Sequence, residues 1–418
     1  MVREALGWRL IASAAILLGL CLVFWRPDSA GAADARRQTI VVQTVEVGQP
    51  GNTAAAIVPF HDAIYETCAQ SGASNCLSVG GVGYSYDIGR LEVTVRQWVK
   101  FLNTADPTGK DPRHLYDPSE SSTAWPKYGQ IDFSARARDG RHHSVAYPQW
   151  ADKPYGFANF LRAARFANAV ENGDLLSKRT AVEGGVEVIS YRVRLSRRTE
   201  QGMYDMRRDR RAGPTRAKGA GFVIPSQDEW IKAAYFDPNG GGTNSYWKYP
   251  TNAGTFGSGE TDAPSSSVLD AATGDVTNSS TQPLATFHVS GASAPSWCPG
   301  QVTPQWRCQV VNPFGIDPVL YPKAYQGSLG TVGQAATLGP WGTLDQGGNA
   351  VEWTDTITPS PFGNASGRVW RRMHGGVPNS TAYQMWISAV GLQPQANPLF
   401  TRTYPWLGFR LGAVRSPR

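Results

Sequence analysis

The chain has 418 residues, of which 41% are hydrophobic and 17% are charged, and its formal net charge is +7. This composition excludes an intrinsically disordered chain, and the length allows one large core or two ordinary domains. The 45 glycines, 29 prolines and 14 tryptophans indicate a fold rich in turns and held by aromatic packing.

The N-terminus has the pattern of an export signal. Arg3 and Arg9 flank the start of an apolar run from Leu10 to Trp25, and small residues follow at 30–33. The run is short for a membrane span, so we expect cleavage after residues 1–33, with an uncleaved anchor as the alternative. The protein is then exported to a periplasmic, extracellular or cell-envelope location, and it meets a membrane only through an uncleaved N-terminal segment.

Four cysteines remain after this signal, and they form two local pairs: Cys68 with Cys76, and Cys298 with Cys308. An even number of cysteines in an exported chain favours disulfides, and local pairing is the simplest of three connectivities. A zinc site is the alternative, although the chain has no Cys-x-x-Cys spacing.

Residues 34–80 are predicted to form a lead-in segment containing a strand at Gln43–Val47. Tyr84, Tyr86 and Ile88 then alternate as in a strand. Thr94 is placed to cap a helix whose buried face would carry Trp98, Phe101 and Leu102, and Asp106-Pro107 would end that helix.

The region 106–150 is predicted to be mostly loop. A second helix is then predicted by the spacing of Phe157, Phe160, Leu161, Ala164 and Ala167. The segment Val186 to Val193 has the pattern of a strand. Ser226 and Glu229 form a capping box that starts another helix, and Asp237-Pro238 would close it. We find no repeat and no interdomain linker, so residues 81–415 are interpreted as a single domain.

A basic run, Arg207-Arg208-Asp209-Arg210-Arg211, is followed by Arg216 and Lys218. We interpret it as a solvated loop, with a patch for nucleic acid or another anionic surface as the alternative. No aromatic residues interleave the run, and we expect no nucleic-acid partner.

Three segments, in order, carry a family resemblance. The first is Tyr86–Thr94, which continues to Asn103, and the second is Ile224–Ala234. The third begins at Gly342 and contains the turn Gly347-Gly348-Asn349-Ala350-Val351-Glu352-Trp353. It continues through Arg368–Arg371 and ends at Leu407-Gly408-Phe409-Arg410-Leu411. Together they resemble the formylglycine-generating enzyme, or sulfatase-modifying factor, family. The resemblance implies an α+β fold of the C-type-lectin-like kind with little regular secondary structure.

The type enzymes of this family convert a sulfatase cysteine to formylglycine with oxygen and copper. The family places two cysteines three and eight residues after the serine of an Arg-Gly-Gly-Ser motif. The matching stretch here is Gly375-Gly376-Val377, so the cysteine positions fall on Ser380 and Met385. Copper(I) prefers thiolate ligands, so the resemblance predicts a chain without the copper oxidase reaction.

Another branch of the family uses non-heme iron held by clustered histidines. The six histidines here are His61, His114, His142, His143, His288 and His374. Only His142 and His143 are adjacent, and neighbours on a strand point to opposite faces. We therefore expect no iron, with His374 as the best placed candidate ligand.

In relatives, the Gly-Asn-x-x-Glu turn often holds calcium. Asn349 and Glu352 could supply side-chain oxygens to such an ion, and Gly347 and Ala350 could supply carbonyls. The alternative is a tight turn whose Asn and Glu bond protein groups. A bound calcium ion would be structural.

The resemblance also points to candidate ligand-binding residues: Arg371 and Arg410 in the motifs, and Tyr383 and Trp386 in the interval 377–405, where the family builds its ligand surface. The two arginines could instead pair internally with carboxylates. We expect an unknown protein, peptide or small-molecule ligand.

Two functional hypotheses follow, with an envelope structural role as a third. The protein is a binding or accessory module on this scaffold, or it is a family oxidoreductase, of the formylglycine-generating or non-heme iron type, with a non-standard metal site.

Overall fold

The computed structural model describes residues 37–57, 76–124, 129–207, 213–240, 245–251, 264–270, 273, 275–278, 283–286, 329–358, 370–376, 385–389, 391–394 and 405–415. The helices in these ranges are α1 Val95–Ala105, α2 Phe160–Glu171 and α3 Gln227–Tyr235. Two 3₁₀ turns lie at Pro118–Glu120 and Pro148–Trp150.

The strands before the 3₁₀ turn at Pro148 are β1 Thr39–Val47, β2 Ala55–Ile57, β3 Leu77–Val79, β4 Tyr86–Gly89, β5 Ile131–Phe133 and β6 His143–Val145. Those after it are β7 Asp174–Glu183, β8 Val186–Arg194, β9 Gly221–Val223, β10 Ser265–Ser266, β11 Leu284–Ala285, β12 Val351–Thr358, β13 Trp370–His374, β14 Gly391–Pro394, β15 Leu407–Gly408 and β16 Gly412–Val414. This sheet-rich arrangement with few helices confirms the α+β class.

The largest sheet has six strands in the order β7-β8-β1-β4-β16-β9, and every neighbouring pair is antiparallel. A four-stranded sheet has the order β14-β13-β12-β15. β1 belongs to the predicted lead-in segment, yet it lies inside the six-stranded sheet between β8 and β4. Chain segments far apart in sequence therefore meet in one sheet.

The predicted helix starts are confirmed by their caps. Thr94 and Ser226 each accept a hydrogen bond from the third helical residue, Gln97 and Glu229 respectively, whose side chain bonds back to the cap amide. These reciprocal bonds satisfy amides that have no partner inside the helix. Asp106 caps the C-terminus of α1, as predicted.

Several boundaries differ from the prediction. α2 begins at Phe160 with Asn159 as its cap, and Phe157 lies outside it with a φ of 55°. α3 ends at Tyr235 with Phe236 as its C-cap, before Asp237-Pro238. The exposed strand β7, which has no alternating pattern, forms a hairpin with β8.

The largest hydrophobic core lies between the six-stranded sheet and helices α1 and α2. Trp98 is fully buried there and stacks on Tyr155, with ring centroids 4.2 Å apart, and on Phe166 at 5.6 Å. The predicted buried residues Phe101 and Leu102 belong to the same cluster. Much of the aromatic content is therefore used for packing.

Among the described residues, no helix combines the length and apolar character needed to cross a membrane. Residues 1–36, which include the predicted signal, lie outside the described ranges.

Candidate functional site

The turn at 347–353 is joined to the end of the chain by a buried ion pair. The Glu352 side chain is fully buried and accepts hydrogen bonds from Arg410 Nε at 2.7 Å and Arg410 Nη2 at 2.6 Å. Trp230 Nε1 donates a third bond at 2.9 Å. Both carboxylate oxygens are thus occupied by protein donors.

The remaining donors of Arg410 bond main-chain carbonyls. Nη1 donates to Gly89 O and Arg90 O, and Nη2 donates to Leu344 O. Burial disfavours the charged guanidinium, but the Glu352 carboxylate outweighs it and raises the pKa of Arg410. Arg410 therefore connects three separate segments, and this is the internal pair considered as the alternative to ligand binding.

Arg371, the second candidate arginine, is buried as well. Its guanidinium lies 3.5 Å from the centre of the Phe160 ring and donates to Asp355 O and Pro214 O. Burial lowers the pKa of Arg371 to about 10, against the attraction of the Asp355 carboxylate. In this arrangement its charge is held by main-chain carbonyls and an aromatic face.

Asn349 adopts a φ of 59°, and its side-chain oxygen, side-chain nitrogen and main-chain amide each make a hydrogen bond. Its Oδ1 accepts from Gly330 N at 2.8 Å, its Nδ2 donates to Gly330 O, and its amide donates to Thr286 O. Gly348, with a φ of 96°, packs so closely that a Cβ atom would lie 2.7 Å from Thr286 O. The turn is thus built by close backbone approach.

These contacts bear on the predicted calcium site. The side-chain oxygens of Asn349 and Glu352 bond protein groups, which is the tight-turn alternative. Among the described residues, no group of three or more His, Cys, Asp or Glu is arranged to hold a metal ion. Calcium at Gly347–Glu352 stays a prediction for metal analysis.

Met385, at the second family cysteine position, is fully buried. Its carbonyl accepts a bond from Tyr235 Oη at 2.8 Å. The neighbouring Trp386 is also buried, and Lys248 Nζ lies 4.4 Å from its ring centre. Ser380 and Tyr383 lie outside the described residues.

The histidines in the described ranges are dispersed. His374 is buried and stacks on Trp230 with centroids 5.1 Å apart, and burial lowers its pKa to about 3. His143 is buried against Tyr116 and Phe133, and burial lowers its pKa to about 4. Both rings are therefore neutral at physiological pH.

Cys76 is disulfide-bonded. Cys68, Cys298 and Cys308 lie outside the described residues, so the local pairings stay predictions. In the basic run, Arg216 is only partly exposed and pairs with Glu229 at 2.9 Å and Asp355 at 3.6 Å, unlike the solvated loop we expected. Residues 208–212 lie outside the described ranges.

Sequence reasoning missed two carboxylates beside the Glu352–Arg410 pair. Burial raises the pKa of Glu92 well above its usual range, with Asp345 and Glu352 adding to the rise and Arg410 opposing it. Burial likewise raises the pKa of Asp345 to about 6. The available signal was the acidic residue between apolar Leu91 and Val93.

A family model described as the sulfatase-modifying factor enzyme 1-like domain matches residues 81–411. No curated protein matches the chain. Among solved structures, the chain is similar to variable protein 1 of Treponema denticola, with 15% identity, 88% of this chain and 94% of that chain covered, and a TM-score of 0.37, which is too low to carry an argument. Since the family match spans most of the sequence and contains the three motifs, the protein belongs to the sulfatase-modifying factor family.

Proposed function

We propose that the protein is an exported binding or accessory module on the sulfatase-modifying factor scaffold and that it lacks the copper oxidase reaction. The supporting observation is the residue type at the two family cysteine positions, Ser380 and Met385. Neither can supply a thiolate, and copper(I) sites of this kind depend on thiolates.

The packing around Met385 supports the same proposal. Its side chain is fully buried, next to the Lys248–Trp386 contact, and Gly348 lies close enough that a Cβ there would be 3.3 Å from Met385 Sδ. A thioether in such a position fills space as an apolar group and carries no charge. The residue therefore contributes packing at a position where the oxidase requires a metal ligand.

Export is proposed from the N-terminal pattern of Arg3, Arg9 and the apolar run from Leu10 to Trp25. The C-type-lectin-like arrangement is proposed from the family resemblance. N-terminal sequencing of the secreted or periplasmic protein tests the first proposal, and a start near residue 34 is expected.

The function is tested with the purified mature protein. Copper, iron and calcium are quantified by elemental analysis, and a sulfatase peptide is incubated with the protein in air while aldehyde formation and oxygen uptake are measured. We expect no aldehyde and no stoichiometric copper or iron. Stoichiometric copper or iron together with oxygen uptake would establish the family oxidoreductase instead.

A double variant, Ser380→Cys with Met385→Cys, is the matched positive control. It restores the thiols that the family positions require, so copper(I) binding by this variant and not by the natural chain would assign the difference to those two positions. Mass spectrometry of unreduced peptides completes the test. If Cys68 pairs with Cys76, then Cys298 and Cys308 are the remaining candidate thiolates of the mature chain, and a disulfide between them would remove both.

A further inference from the structure

The strand β7 is the outermost strand of the six-stranded sheet on the side of β8. It has 10 residues and therefore spans about 33 Å, whereas strands in globular proteins most often have about 5–6 residues. Among the described residues, its only main-chain pairing is with β8. Its other edge therefore presents a row of N–H and C=O groups to which a further strand can bond.

The side chains of β7 are exposed on both faces of the sheet. Leu175 is 57% exposed, Leu176 is 40% exposed and Val182 is 74% exposed. The irregularity in the pairing with β8 lies between Leu175 and Ser177, so the register is regular from Ser177 to Glu183. An edge of this length with exposed apolar side chains has the features of a site for strand addition.

The centre of β7 is positively charged. Lys178 opposes Tyr191 of β8, and its Nζ lies 5.3 Å from the centre of that ring. Arg179 is the next residue, so its side chain points to the opposite face. Within the described ranges, neither cation forms an ion pair with a carboxylate. Both charges are therefore available to an incoming strand.

The acidic residues of β7 are already paired inside the molecule. Asp174 pairs with Arg37 at 2.9 Å, and Glu183 pairs with Arg90. The exposed Glu187 of β8 lies next to the hairpin turn, away from the centre of the edge. An incoming strand therefore meets positive charge at the centre of β7 and apolar side chains towards both ends.

This distribution of charge disfavours a second copy of the chain as the occupant. In an antiparallel self-pairing centred on β7, Lys178 of one copy would oppose Arg179 of the other, and like charges directly opposite each other destabilise a sheet. Acidic side chains at the same positions would be attracted to both cations.

We propose that β7 binds an extended segment of a partner protein as a seventh strand of the sheet. Acidic residues of that segment lie opposite Lys178 and Arg179, and apolar residues lie opposite Leu175 and Val182. β7 contains neither of the family cysteine positions, so this binding is independent of whether the copper oxidase reaction is absent.

The probe is a fluorescein-labelled peptide, Thr-Val-Thr-Thr-Glu-Glu-Thr-Val-Thr, whose β-branched residues favour an extended conformation. Its first Val precedes the acidic pair by the spacing that separates Val182 from Arg179. Binding to the mature chain is measured by fluorescence anisotropy at low ionic strength, where screening is weak. We expect saturable binding at least tenfold tighter than that of a peptide with Lys in place of both Glu residues. Absence of saturable binding of the acidic peptide would overturn the proposal.

A charge reversal locates the site. Lys178→Glu combined with Arg179→Glu should make the chain prefer the basic peptide, and this reversed preference would also show that the variant is folded. The matched control is Arg136→Glu with Arg138→Glu, which changes the net charge equally at two exposed arginines outside the six-stranded sheet. An unchanged preference in the first variant, or equal weakening of acidic-peptide binding in the control, would refute the site.

Two N-methylated forms of the acidic peptide distinguish strand addition from simple charge attraction. One form carries methyl groups on the amides of its odd positions and the other on those of its even positions. Alternate amides of an added strand face the edge, so one form should bind the natural chain at least tenfold more weakly than the other. Equal affinities of the two forms would refute strand addition.

Hydrogen exchange tests whether the edge is open. The outward-facing amides of β7 should exchange rapidly in the free chain and become protected when the acidic peptide is added. Protection of these amides without peptide would overturn the proposal, because a second copy or another segment of the same chain would then already cover the edge.

Discussion

Replacing Glu352 by Gln removes one charge from the buried pair with Arg410 while keeping the shape of the side chain. Gln can still accept the bond from Trp230 Nε1, but its amide cannot match the guanidinium, which donates from both Nε and Nη2. Arg410 is fully buried and then lacks a counter-ion from this partner. The perturbation therefore isolates the contribution of the ion pair.

The expected loss is large because both side chains are fully buried. Removing one partner of a buried ion pair typically costs about 3–5 kcal/mol, since the other charge is left uncompensated. The exposed pair between Arg96 and Asp152 provides the comparison, with two short bonds and side chains 53% and 55% exposed. Asp152→Asn should cost at most about 1 kcal/mol, because water solvates both charges.

The assay is urea unfolding of the mature protein and both variants. With a slope of about 3 kcal/mol per molar urea, the midpoint of Glu352→Gln should fall by about 1–1.7 M, and that of Asp152→Asn by far less. Each curve is recorded with excess calcium and with a chelator. The ion-pair reasoning predicts the same loss in Glu352→Gln under both conditions.

Two results would refute this reasoning. Equal midpoints for Glu352→Gln and Asp152→Asn would mean that the buried pair adds no more stability than the surface pair. A loss that appears only with calcium would mean that Glu352 acts as a calcium ligand, as the resemblance predicts, and that its pairing with Arg410 is secondary.

Three further predictions concern stability. Gly156→Ala should cost at least about 2 kcal/mol, because the new Cβ would lie 1.9 Å from Pro405 O, whereas Gly83→Ala, with nothing within 4 Å, should be nearly neutral; overlapping urea curves for the two variants would contradict this. Because burial lowers the pKa of His143 to about 4, the unfolded chain, titrating near pH ~6.5, binds more protons between these values, and stability falls as the pH drops through that window. His143→Phe keeps an aromatic ring at this position but removes the titrating group, so the loss of unfolding free energy between pH 7 and 4 should be smaller by on the order of 3 kcal/mol. An unaltered pH profile would argue against a neutral, buried imidazole. Ser226→Ala removes half of the α3 capping box and should cost about 1 kcal/mol in the same assay, and no measurable change would show that the cap is dispensable.

Much of the local structure was predictable because it depends on neighbouring residues. A capping box needs a hydroxyl and a side-chain acceptor three residues apart, and both Thr94 and Ser226 begin helices with that reciprocal bonding. The pattern of Val186 to Val193 likewise predicts β8 to within one residue. β7 was missed because its two faces are mostly exposed, so no alternating burial marks it in the sequence.

The order of the motifs in the sequence was also sufficient to identify the family, whose model matches residues 81–411. The same order places Ser380 and Met385 at the family cysteine positions. The absence of thiols at these two positions is a matter of residue identity, so it does not depend on how the chain folds.

The sequence by itself therefore determined the starts of α1 and α3, the α+β class, the family and the missing thiols. Only the tertiary structure decided that Glu352 pairs with Arg410, which is 58 residues away along the chain, and that Trp230, 122 residues away, donates to the same carboxylate. It also decided that Glu92 is buried and that its two carboxyl oxygens have no hydrogen-bond partner among the described residues. The physical reason is the separation of the interacting residues along the sequence. Helix caps and hydrophobic periodicity involve residues a few positions apart, whereas burial and charge pairing depend on which distant segments the fold brings together.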